Sequence, residues 1–285
     1  MTRAQLVNEI FSKRSYLCVG LDTDISRIPL HLRSRPDAVF EFNQQVIDAT
    51  REHCVAYKIN TAFYEAMGSK GWDTLERTVQ YIPPTHFTIA DAKRGDIGNT
   101  SSQYAKAFFE TLNFDAITVT PYMGEDSIRP FLEYENKWTI VLGLTSNPGA
   151  ADFELKKVIT QTDDLDEGIH TRKQETNFLY ETVLETVAPW GNPGNLMFVA
   201  GATRAAELLN IRKYVPENFL LVPGTGAQGG SLPDVSRFGI ITDCGLLVNV
   251  SRAIIYAGET EDFAEAAGKV AAQYQIEMQT YLLQL

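Results

Sequence analysis

At 285 residues, 44% hydrophobic and 21% charged, the chain has an ordinary globular make-up and room for one large domain or two. Its formal net charge of -11 comes with no basic stripe, which argues against a nucleic-acid partner. No apolar run approaches the ~18 residues that span a bilayer, and the opening MTRAQLVNEIF lacks a signal-peptide core, so a cytoplasmic protein without membrane contact is expected.

Short β-rich apolar runs recur in chain order at 16–21, 54–59, 86–90, 116–119, 138–144, 196–200, 219–222 and 246–250. Between them lie segments with helical periodicity, among them 38–51, 102–112, 126–134 and 204–214. Strands alternating with helices imply parallel pairing through right-handed crossovers. Eight such units argue for a closed (β/α)8 TIM barrel of class α/β, a fold that commonly runs to about 250 residues. An open doubly wound sheet is the alternative, but no GxGxxG follows the first strand. The expected organisation is a single domain over residues 1–285, with an insertion around 150–193 between strands five and six. The acidic first half of that insertion reads as a mobile loop near the barrel mouth, and 175–187 reads as the fifth barrel helix. Cys18, Cys54 and Cys244 sit in apolar runs without metal-type spacing and read as reduced, buried thiols.

The most informative stretch is 87–101, FTIADAKRGDIGNTS. A strand over 87–93 places Phe87, Ile89, Asp91 and Lys93 on one face, apolar at first and charged at the end. Burying such charges costs several kcal/mol per ion, to order of magnitude, unless they are paired. Two readings of a bare DxKxxD stand side by side: a solvated surface turn, or a functional cluster.

The other strand ends bear on that choice, because barrel active sites sit there. Strand one ends at Asp22, strand two at Lys58 and Asn60, strand four at Thr118 and Thr120, strand five at Thr145 and Ser146. Strand seven runs into PGTGAQGG and strand eight into Asn249, Ser251 and Arg252. Two lysines and several aspartates converging on one mouth are hard to account for as surface decoration. The glycines of 222–230 read either as a flexible loop or as an anion cradle of exposed N–H groups, with Arg252 adding a bidentate contact.

The run DAKRGDIGNTS, with AYKIN upstream and PGTGAQGG downstream, resembles the orotidine 5'-phosphate decarboxylases, in the form found in their longer bacterial branch. The resemblance implies a (β/α)8 homodimer converting orotidine 5'-phosphate to uridine 5'-phosphate and CO2 with no metal and no organic cofactor. It assigns the catalytic array to Lys58, Asp91, Lys93 and Asp96, with Lys93 giving a proton to C6 and Asp91 beside the departing carboxylate. It implies that Asp96 reaches into the neighbouring subunit's site, with Thr100 beside it at the ribose. Asp22 and Lys58 are the implied ribose ligands, Ser146 the pyrimidine contact, and Gln228 and Arg252 the phosphate ligands. The PGTGAQGG loop departs from the PGIRP-type loop of the shorter branch. Sister barrels that share DxKxxD but use Mg²⁺ on keto-sugar phosphates, and a non-catalytic phosphate-binding barrel, are the competing readings.

Overall fold

The computed structural model describes residues 1–166, 169–226 and 229–285. Ten strands appear: β1 (Leu17–Gly20), β2 (Ala56–Asn60), β3 (Phe87–Arg94), β4 (Ala116–Val119), β5 (Trp138–Leu144), β6 (Lys157–Asp166), β7 (Ile169–Phe178), β8 (Leu196–Ala200), β9 (Leu220–Pro223) and β10 (Leu246–Val250). β1–β5 and β8–β10 close into a barrel in the order β1-β10-β9-β8-β5-β4-β3-β2, while β6 and β7 form a separate antiparallel pair. Helices follow the barrel strands, so these short strands are buried on both faces and read as continuous apolar runs. The α/β TIM-barrel expectation is met.

The barrel interior is layered. Near the strand starts Trp138 stands edge-on to Phe87 at 5.9 Å and to Phe219 at 6.1 Å, and these rings fill the lower end. The ladder registers Gly20 with Lys58 and Lys58 with Ile89, so two residues above Ala56 the inward face of β2 has become charged. An apolar floor carries a polar mouth. The three cysteines are buried and free, as expected. Among the described residues no helix is long and apolar enough to cross a membrane.

The insertion differs from its sequence reading. Its first half is not a loop: Lys157 to Asp166 pairs residue by residue with Ile169 to Phe178 as an antiparallel hairpin. The helix expected over 175–187 begins only at Leu179, and its first four residues belong to β7. The N–H of Phe178 donates to the Glu181 carboxylate at 2.6 Å, a capping contact that sets the start. The hairpin sequence is mostly polar, so no apolar alternation advertised it. The segment expected as one helix over 102–112 starts earlier, at Gly98, and turns into a π-helical turn at Ala107–Thr111.

Under the barrel, Arg212 locks the strand starts. Its Nε donates to the Gly239 carbonyl at 2.9 Å and Nη2 to Gly239 and Gly245 at 2.7 and 2.9 Å. Nη1 donates to Val215 at 3.2 Å and Asn218 at 2.6 Å, so every guanidinium proton meets a carbonyl. Burial pushes its pKa down to about 10, which still leaves the guanidinium charged at neutral pH. Arg212→Met should cost about 3 kcal/mol in urea unfolding, because it strands the Gly239, Val215 and Asn218 carbonyls, while Gly245 keeps the Leu220 N–H. A loss below about 0.5 kcal/mol would show that water replaces the guanidinium without penalty.

Candidate active site

The mouth holds a cavity of about 550 Å³ at the C-terminal strand ends. One wall is charged, built from Asp22, Lys58, Asp91 and Lys93 on the first three strand ends. The opposite wall is apolar, from Leu142, Val199 and Leu221 on β5, β8 and β9.

Lys58, only 4% exposed, donates to Asp91 Oδ2 at 2.8 Å and lies 3.4 Å from Asp22 Oδ1. The other Asp91 oxygen accepts from Lys93 Nζ at 2.6 Å and from the Thr118 hydroxyl at 3.1 Å. The result is an alternating row, Asp22–Lys58–Asp91–Lys93, running from inside to the cavity. Lys93, 49% exposed, is its open end.

Backbone geometry delivers this row. Ala90 pairs with Ile117 and Arg94 with Val119, so four steps along β3 cover two along β4. Asp91 and Lys93 lie inside that bulge, a device that re-aims side chains at barrel rims. Lys93 sits at φ 48°, the left-handed region that L-residues occupy at a cost of about 1–3 kcal/mol. The Lys93 N–H then donates to Thr118 Oγ1 at 3.0 Å. Thr118 thus holds both the Asp91 carboxylate and the Lys93 backbone.

Two ionisation states follow. Burial by itself would raise the Asp91 carboxyl, but Lys58 and Lys93 together outweigh it and hold the group well below the usual carboxylate range. Burial likewise disfavours the Lys58 ammonium, and Asp22 and Asp91 overcome this to raise its pKa.

Ser146 and Arg252 also line the cavity, as the sequence reading expected. Asp96 and Thr100 are not brought to it within the chain. The Asp96 carboxylate accepts the Ile97 N–H at 2.8 Å, next to the cavity-forming bulge but outside its lining. Gln228 lies outside the described residues. The glycine loop differs from a row of open N–H groups. Gly230 N–H donates to Gly224, Gly229 to Gly226 and Gly226 to Gly230, so these three amides close the loop on itself. The loop lines the cavity with Pro223, Gly224 and Thr225, and the buried Thr225 hydroxyl has no hydrogen-bond partner among the described residues.

Sequence reasoning missed Arg27 and Tyr256. Arg27 lines the cavity with its guanidinium 4.1 Å over the Tyr256 ring. The Tyr256 hydroxyl accepts from Asp24 N–H at 2.8 Å and donates to the Asp22 carbonyl at 3.2 Å, fixing the turn that presents Asp22. No local motif marks either residue, since barrel closure alone brings the first and last turns together.

Fold and mouth together define the class: a (β/α)8 barrel whose strand ends carry a paired Asp–Lys cluster above an apolar floor, where such barrels perform chemistry. The chain belongs to the Orotidine 5'-phosphate decarboxylase / HUMPS family, whose model matches residues 15–267. It is 54% identical over 288 residues to an orotidine 5'-phosphate decarboxylase of Christiangramia forsetii, covering 100% of both chains. It is 56% identical over 281 residues to that of Flavobacterium johnsoniae, covering 98% of this chain and 97% of the relative. Among solved structures, the Leishmania donovani OMP decarboxylase superposes with a TM-score of 0.77 at 36% identity, over 98% of this chain and 99% of its own.

The depressed carboxyl has a testable sign. Its contribution to stability is present above the unfolded value near 3.8 and is lost only as pH falls below it, toward the folded value. In the folded chain the ¹³C carboxyl shift of Asp91 should therefore still report the ionised form at about pH 3, and Lys58→Met should move the titration upward. A midpoint at or above that of an ordinary aspartate would contradict the paired geometry.

Proposed function

We propose that this chain converts orotidine 5'-phosphate to uridine 5'-phosphate and CO2, a step of de novo pyrimidine synthesis. The observation that carries the reading is Asp91 held ionised between two ammonium groups, with Lys93 at the cavity face. Full-length relatives above half identity that are named as this decarboxylase support it over the keto-sugar-phosphate branch. So does Lys58, whose ammonium already fills the space between Asp22 and Asp91 that a divalent cation would need.

In the reaction, the bond from C6 to the carboxylate breaks and its electron pair stays on C6 as an sp2 carbanion that the ring delocalises poorly. Lys93 stabilises that charge and then gives C6 its proton, and solvent restores the ammonium. Two unit charges about 4 Å apart interact by about 4 kcal/mol at an effective dielectric of about 20. The attraction grows as charge moves onto carbon, so it favours the transition state over the ground state. Asp91 repels the substrate carboxylate until it leaves. Asp22 and Lys58 take the ribose hydroxyls, Ser146 the pyrimidine, and Arg252 with Gln228 the phosphate. The reaction requires no metal and no organic cofactor in this scheme.

The proposal assigns Asp96 and Thr100 to the neighbouring site of a homodimer in the cytoplasm. Their absence from the lining of the chain's own cavity supports this, as do large apolar side chains left open on adjacent turns, Ile97 at 59%, Tyr122 at 93% and Met123 at 45% exposure.

Turnover of orotidine 5'-phosphate, followed by the loss of its ultraviolet absorbance, should proceed on EDTA-treated protein. Lys93→Ala should lower it by about a thousandfold or more while the fold persists. Activity only on a keto-sugar phosphate with Mg²⁺, or a Lys93→Ala variant above a tenth of the parent rate, would overturn the assignment. Subunit sharing has its own check. Inactive Lys93→Ala and Asp96→Ala chains should regain activity when mixed and exchanged, since a hybrid carries one intact site. Failure of exchanged hybrids to recover would confine each site to one chain.

A further inference from the structure

We propose that Glu154, at the base of the hairpin insertion, is a positioning residue for Ser146, which makes it a determinant of base recognition. This deepens the function proposed above and rests on it.

The starting point is a backbone group. β5 pairs with β8 as far as Leu144 and Ala200, and the Gly201 N–H donates to the Leu144 carbonyl at 2.7 Å. Beyond that point Thr145 has left the ladder at the rim of the cavity, and its N–H needs another acceptor. Glu154 supplies it: Oε2 accepts the Thr145 N–H at 2.7 Å. The Thr145 hydroxyl lies 2.9 and 3.0 Å from the two carboxylate oxygens and 2.6 Å from Asn147 Oδ1, so its one proton has Asn147 as the nearest acceptor and the N–H bond is the firm hold of Glu154. A charged acceptor on a peptide N–H makes a short, strong bond, and this one fixes the peptide directly before Ser146.

The barrel holds the other sides of the same serine. A Cβ on Gly201 would come within 2.7 Å of Ser146 Cα and N, so the Ser146 backbone rests directly on that glycine. After it, the Thr203 hydroxyl donates to the Ser146 carbonyl at 3.2 Å. Both of these restraints come from the β8 end. Another comes from the insertion, and Glu154 is itself anchored there: its carbonyl accepts from Tyr180 N–H at 3.0 Å and that of Lys156 from Leu179 N–H at 2.8 Å. These contacts tie the two feet of the hairpin together beneath Thr145. The insertion thus has a task at the site. It sets the placement of Ser146 on the cavity wall opposite the lysine–aspartate row.

The test separates base recognition from general stability. Affinities for uridine 5'-phosphate and for ribose 5-phosphate, which lacks the base, are measured by calorimetry on the parent, Glu154→Ala and Glu154→Gln. Glu154→Ala should weaken uridine 5'-phosphate about tenfold or more and leave ribose 5-phosphate within about twofold. Glu154→Gln, which keeps a neutral acceptor, should fall between and also serves if the alanine variant does not fold. Equal weakening of both ligands, or of neither, would overturn the role of Glu154. A parent protein that neither turns over orotidine 5'-phosphate nor binds uridine 5'-phosphate would instead overturn the function on which this rests.

Discussion

The mouth of the barrel depends on one buried ammonium. Lys58 is almost wholly removed from water, and it is tolerable there only because Asp91 bonds it directly and Asp22 stands close on the other side. Removing one member of such a pair costs about 3–5 kcal/mol, since it leaves a charge without compensation. The requirement acts in the other direction too. With Lys58 holding one oxygen of Asp91, the other oxygen is left for Lys93 and Thr118, and the carboxylate has one orientation. Three adjacent strands must then bring their ends to one level, which the pairing of Gly20 with Lys58 and Asn60 with Asp91 achieves.

That orientation is reached against the backbone's preferences. The β3 bulge gives up regular pairing with β4, and Lys93 adopts a left-handed conformation that its side chain disfavours. Such strain persists where surrounding contacts over-determine it. Here they are the Thr118 bond to the Lys93 N–H and the ion pair at the other end of the same residue. The ammonium is therefore held in place before any ligand arrives, so little reorganisation remains to be done during reaction.

The two walls of the cavity divide the work. Charge is concentrated on the β1–β3 side, and the β5–β9 side is apolar up to the Thr145–Ser146 turn. The glycine loop bends through three positive-φ glycines, and the Gly226, Gly229 and Gly230 amides bond within it. Pro223, Gly224 and Thr225 shape this edge of the cavity.

Much of this was legible in the chain itself. The apolar runs marked all eight barrel strands, with four of them matched to the residue, because a strand buried on both faces must be apolar throughout. Asp22, Lys58, Asp91, Lys93, Ser146 and Arg252 could be named because charged or polar residues that end an apolar strand are costly there unless they meet partners or a ligand. The hairpin escaped notice, since a mostly polar stretch leaves no periodic apolar trace. So did Arg27, Tyr256 and the grip of Glu154 on Thr145, each a contact between segments far apart or non-periodic in sequence. Sequence by itself determined which residues are available and at which strand end each one lies, because periodicity and burial are local. Only the closed barrel decided which charges face one another, that Asp96 falls outside its own chain's cavity, and that Lys93 is turned to the mouth. Those outcomes depend on register, a bulge and a backbone angle, which are settled by packing across strands rather than along them.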